Sequence, residues 1–160
     1  MAATMEKTQV LTPEALLAHW QGHRRLTRRV IEAFPEDKLF HYSIGGMRPF
    51  SMMIQEFLRM AEPIAHGVGT GEWIDKSDLT LPESKAKVLE MWDAATTALD
   101  REFRAIPPER FSAVDKAFGK WESDGMGMIL YAIDNEIHHR GQGYVYLRSL
   151  GIEPPPFWER

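Results

Sequence analysis

The sequence predicts an all-α domain, a four-helix bundle with a long crossover between helices 2 and 3. Four stretches repeat apolar residues at three- and four-residue intervals, and proline or glycine marks their ends. The connection after the second stretch, Gly67 to Leu81, is roughly fifteen residues, where neighbouring antiparallel helices need only about two to five.

The first helix is expected from Pro13 to Phe34, opened by Thr12 as cap, Pro13 in the first turn and Glu14 at the positive end of the dipole. Its apolar stripe is Leu16, Trp20, Val30 and Phe34, with His23 in the middle and Thr27 beside it. The second helix, about Phe50 to His66, follows Gly45, Gly46 and Pro49 and turns Phe50, Met53, Ile54, Phe57, Ala61 and Ile64 inward. Pro63 is expected to loosen its last turn. The third, about Pro82 to Ala105, has the cleanest period, Val88, Trp92, Ala95, Leu99 and Phe103, and stops before Pro107 and Pro108. An irregular stretch leads to the fourth, about Gly125 to Leu150, ended by Gly151 and three prolines.

The fourth helix has two non-polar rows. Met126, Leu130, Ile133, Ile137 and Tyr144 form one; Met128, Ala132, His139, Gly143, Tyr146 and Leu150 form the other. Two such faces serve an interior and a second contact, and a homodimer partner is the simplest occupant of the second.

Size and composition bound the function. With 160 residues the chain has room for one domain, and 44% hydrophobic and 26% charged residues are ordinary globular values. A formal net charge of -4 gives no general attraction for nucleic acid. The absence of cysteine removes disulfides, a catalytic thiol and thiolate metal sites, so any metal must use His, carboxylate or amide ligands. No stretch approaches the roughly 20 apolar residues of a membrane span, and Met1 to Val10 lacks the apolar run of a secretory signal. The expectation is a cytoplasmic protein with a flexible N-terminal tail at 1–11 and a single domain at 12–160.

The polar groups aimed inward are His23, Glu56, Asn135 and His139. Residues 135 and 139 are one turn apart and address the same point, the spacing by which a helix offers two ligands to one ion. The same groups also satisfy one another as a hydrogen-bonded polar core, since buried polar atoms need partners whatever their role. His19 and His23 repeat the spacing, but no Glu follows His19 as in zinc proteases. Arg24, Arg25, Arg28 and Arg29 read as a solvated helix face, and Met52, Met53, Met60, Met126 and Met128 as core filler.

The run Asn135-Glu136-Ile137-His138-His139-Arg140-Gly141-Gln142, with Tyr146-Leu147 and Gly151-Ile152-Glu153-Pro154-Pro155, resembles the last helix and tail of the DinB/YfiT-like superfamily. Met47-Arg48-Pro49-Phe50-Ser51 and the long crossover resemble the same family, so the likeness spans nearly the whole domain. It implies an often dimeric bundle holding a divalent ion, commonly nickel or zinc, between one His of helix two and two His spaced i, i+4 on helix four. Here those positions are Glu56, Asn135 and His139. The set is harder than three imidazoles and better suited to Mn, Fe or Mg.

Two functions follow from the resemblance. One is a metal-dependent enzyme of hydrolase or thiol-dependent transferase type, acting on a small molecule with a low-molecular-weight thiol such as mycothiol or bacillithiol. In it Glu56, Asn135 and His139 hold the metal and His23 orients or protonates the substrate. The other is a non-catalytic, stress-associated dimeric bundle that has lost the metal, keeps Glu56 paired with His139, and acts by binding a ligand or partner.

Overall fold

The computed structural model describes residues 10–160. Residues 1–9 of the expected tail lie outside the described residues, and Val10 and Leu11 are exposed. The bundle helices are α1 (Pro13–Ala33), α3 (Phe50–Thr70), α4 (Lys85–Arg104) and α5 (Gly125–Ser149), with a short α2 (Glu36–His41) between the first two. Around the bundle the neighbours are α1 and α4, α4 and α3, α3 and α5, and α5 and α1. The long helices α1 and α3, joined through α2, therefore lie on a diagonal. Among the described residues, no helix is long and apolar enough to cross a membrane.

Local chemistry explains most boundaries. The Thr12 hydroxyl accepts from the Ala15 amide at 3.1 Å and Asp124 Oδ1 from the Gly127 amide at 2.7 Å, each satisfying a first-turn donor that has no partner within the helix. α3 differs from expectation. It passes through Pro63 and runs to Thr70, where Gly71 at φ 79° supplies a left-handed cap. Gly67, which reads as a stop, is helical. A Cβ there would stand 2.2 Å from a Trp73 ring carbon, so the glycine lets the crossover lie directly on the helix.

The stretch expected to be irregular holds a 3-10 turn (Pro108–Phe111) and an antiparallel hairpin, β1 (Val114–Ala117) with β2 (Trp121–Asp124). Its strands have only four residues each, too few for alternation to show in the sequence.

The core is split. Leu16, Trp20, Ile64, Val68, Phe103 and Ile129 belong to one apolar cluster, and Val30, Phe34, Phe50, Phe57, Trp92 and Tyr146 to another. Between them on α1 come His23, Arg24 and Thr27, on α4 Thr96, and on α5 Glu136 and Arg140. A polar layer crosses the bundle at mid-height.

Candidate functional site

The polar side chains of α5 face two ways. Glu136 and Arg140 turn toward α1, while Asn135 and His139, one residue earlier in each pair, turn toward α3. Two polar groups result.

The first is sealed. The Thr27 hydroxyl donates to Glu136 Oε1 at 2.6 Å and accepts from Arg140 Nη1 at 3.1 Å. Arg24, 0% exposed, donates through Nη1 to Glu136 Oε2 at 3.4 Å and through Nε to the Thr96 hydroxyl at 3.1 Å, and its guanidinium stacks 3.4 Å over the Trp92 ring. One member of the basic run is therefore core and not a solvated face. Arg28 pairs with Asp93 and Glu32, and Arg29 with Glu159.

His23 belongs to this sealed group. Its Nδ1 lies 2.9 Å from Arg140 Nη2, and its Nε2 lies 3.0 Å from Arg160 Nη1 and 3.2 Å from His19 Nε2. It makes no hydrogen bond to Glu56, Asn135 or His139. Burial, followed by the charge of Arg140, drops its pKa to about 3, so the ring is neutral. The sequence places His23 on the core face of its helix but not around the bundle, and the geometry parts it from the three residues expected beside it.

The second group is half open. Glu56 Oε1 accepts from Asn135 Nδ2 at 2.8 Å and lies 3.3 Å from His139 Nε2, and Oε2 accepts from Arg48 Nη1 at 2.6 Å. Arg48 Nη2 stands 3.5 Å from His139 Nε2, and Gln142 Oε1 lies 3.2 Å from His139 Nδ1. Two helices, α3 and α5, thus bring Glu56, Asn135 and His139 together. Burial raises the Glu56 pKa, but the hydrogen bonds from Asn135 and Arg48 and the charge of Arg48 outweigh it and hold the carboxyl below its usual range. With Nδ2 turned to that carboxylate, Asn135 Oδ1 is buried without a partner.

Arg48 is the member sequence reasoning missed. It stands in the loop before α3, held by its carbonyl accepting from the Tyr146 hydroxyl at 2.7 Å. The next anchor is Phe50, whose ring lies so close to α5 that a Cβ at Gly143 would be 2.7 Å from it. The available signal was the Met-Arg-Pro-Phe run itself, which puts a cation two residues before a buried aromatic.

A DinB family model matches residues 5–160. The chain belongs to the DinB family. It is 25% identical over 154 residues to YjoA, an uncharacterized protein of Bacillus subtilis (strain 168), covering 91% of this chain and 95% of that one. Among solved structures, a DinB-like protein from Bacillus cereus ATCC 10987 superposes with a TM-score of 0.74 at 17% identity, over 89% of this chain and 95% of that one. The B. subtilis YjoA structure gives 0.74 at 19%, over 91% and 97%. A mycothiol-dependent maleylpyruvate isomerase gives 0.62 at 16%, over 91% of this chain and 70% of that one. At these identities the structures establish the shared fold.

The divalent ion implied by the DinB resemblance meets an obstacle in this chain. Both Glu56 oxygens are already engaged, and the Arg48 guanidinium, 39% exposed, touches Glu56 and faces the His139 nitrogen that a metal would use. A dication about 4 Å from that guanidinium would be repelled by ~8 kcal/mol at an effective dielectric of about 20, less whatever solvent screens. Among the described residues, no cluster of three or more His, Asp or Glu is arranged to hold a metal. The residues do not fit a resident dication while Arg48 stays on Glu56.

Proposed function

We propose that this DinB-family protein is an enzyme acting on a small molecule, with Arg48 supplying the positive charge and His139 Nε2 taking the proton. The observation that carries this reading is the Arg48 guanidinium spanning Glu56 Oε2 at 2.6 Å and His139 Nε2 at 3.5 Å. With Nδ1–H donating to Gln142 Oε1, the Nε2 lone pair faces the cluster.

The co-substrate class is a low-molecular-weight thiol, supported by the fold shared with a mycothiol-dependent isomerase. The S–H bond breaks, its proton goes to His139 Nε2, and the sulfur keeps the electron pair as a thiolate beside Arg48. Glu56 Oε1, 3.3 Å from Nε2, then stabilises the imidazolium. No step runs through nickel, zinc, manganese or iron.

The test follows thiolate ultraviolet absorbance on mixing the metal-free protein with N-acetylcysteine, bacillithiol or mycothiol. Wild type is expected to generate thiolate below the free thiol's own pKa, and His139→Gln and Arg48→Met to lose it. A signal that appears only with added Ni, Zn, Mn or Fe would return the site to the metal-dependent reading.

The partner is a second copy of the chain. Leu130, Ile137 and Val145 are 40%, 37% and 54% exposed along the outer face of α5, and between them Gly141 leaves open space that allows close helix approach.

A further inference from the structure

Toward the hairpin from the polar cluster, α3 and α5 also line an apolar cavity. One turn from Glu56 along α3 comes Met60, and one turn before Asn135 on α5 comes Tyr131, a displacement of about 6 Å on each helix. Both line a cavity of about 460 Å³. Its other walls include Ile64, Met128 and the hairpin residues Phe118 and Trp121. The volume suits a small organic ligand, and the lining is mainly apolar, with Glu122, Ser123 and Tyr131 as its polar side chains.

The hairpin is built to present its aromatic wall. Phe118 has φ 52°, the one positive-φ residue other than glycine among those described. A bulky side chain in that region is strained, and the surrounding packing must offset the strain. Its ring packs against Trp73 at 5.3 Å and Trp121 at 6.2 Å between centroids. Trp121 remains 63% exposed at the mouth. Met60 and Met128 add side chains that adapt to an aromatic face.

The polar end is incompletely satisfied in a complementary way. Asn135 Oδ1 lacks a donor, and Arg48 Nε has no hydrogen-bond acceptor among the described residues. A ligand head with an anionic oxygen for the guanidinium and an O–H, N–H or S–H for the amide oxygen would meet both.

We infer that the polar cluster and the apolar cavity form one binding site for a small organic acid bearing an aryl group, with its carboxylate at Arg48 and its ring between Trp121, Phe118 and the two methionines. The assignment rests on the reading of the Arg48 cluster as a small-molecule site and names the substrate class for it. The carboxylate meets the same guanidinium as the thiolate, and the ring fills the cavity beyond it.

The test titrates the metal-free, thiol-free protein with 3-phenylpropionate and its neutral amide, followed by Trp fluorescence and by the methyl resonances of Met60 and Met128. The acid is expected to shift both methyls and to bind at least ten-fold more tightly than the amide. Trp121→Ala is expected to weaken both probes at least ten-fold; Arg48→Met should weaken the acid alone and leave the amide unchanged. Equal affinity for the two probes, insensitive to Arg48, would make the cavity a separate apolar pocket and overturn the joined site. So would absence of binding at millimolar probe in a protein whose thermal transition is normal. Because neither thiol nor catalysis is involved, loss of the thiolate signal described above leaves this result standing, and the converse also holds.

Discussion

Two polar groups share α5 and are offset by a single residue, yet they differ in kind. Glu136 and Arg140 are sealed against α1 with their hydrogen bonds directed at Thr27, His23 and Arg24. Asn135 and His139 face α3 beside a half-exposed Arg48, and each group leaves one buried atom without a partner, Arg24 Nη2 in the sealed one and Asn135 Oδ1 in the open one. The contrast separates structure from function. Where both charges are out of water, breaking the pair leaves a bare ion in the core, so the group acts as a structural tie. Where water reaches one side, the same residue types cost little to rearrange and are available to a ligand.

The largest expected effect lies on the sealed side. Glu136→Ala leaves two buried guanidiniums without a carboxylate and should cost about 3–5 kcal/mol in urea unfolding. Glu56→Ala should cost only about 1 kcal/mol. Equal losses at the two positions would erase the distinction.

Acid acts on the sealed side through His23. His23 titrates near 3 when folded and at its ordinary 6.5 when unfolded. Between those values the unfolded chain binds a proton that the folded chain refuses. Its contribution is therefore complete above about pH 6.5 and is lost as pH falls toward 3. His23→Gln should flatten that limb of a stability-against-pH curve; an unchanged slope would show that the ring is not held neutral.

A third measurement addresses the open side alone. Thermal shift with Ni, Zn or Mn, with and without chelator, should leave wild type unmoved. The triple change Arg48→Met, Glu56→His and Asn135→His should gain several degrees by binding metal to the folded state. No gain would mean that the three side chains do not converge on one point.

The smallest energetic effect concerns the outer face of α5. Ile137→Lys should alter monomer stability by no more than about 0.5 kcal/mol, while halving the mass measured by light scattering if two copies meet there. A wild-type protein already monomeric at high concentration would end that assignment.

Much of this was legible in the chain. Thr12, Pro13 and the Trp20, Phe57 and Trp92 stripes announce helices and core because capping and helical periodicity are local properties. The i, i+4 pair of Asn135 and His139, and the inward tilt of Glu56, were readable for the same reason. The four-residue hairpin strands and six-residue α2 were not, being too short for a period to show.

Helix faces and their ends are written in the order of residues, because neighbours three and four apart share a side of any helix. Which partner each face meets is settled only when helices pack. That choice gave His23 to Arg140 and Arg160, brought Arg48 from a loop onto Glu56, and set an apolar cavity one turn from a carboxylate. These pairings join residues 8 to 137 positions apart, across distances over which no local rule of spacing reaches.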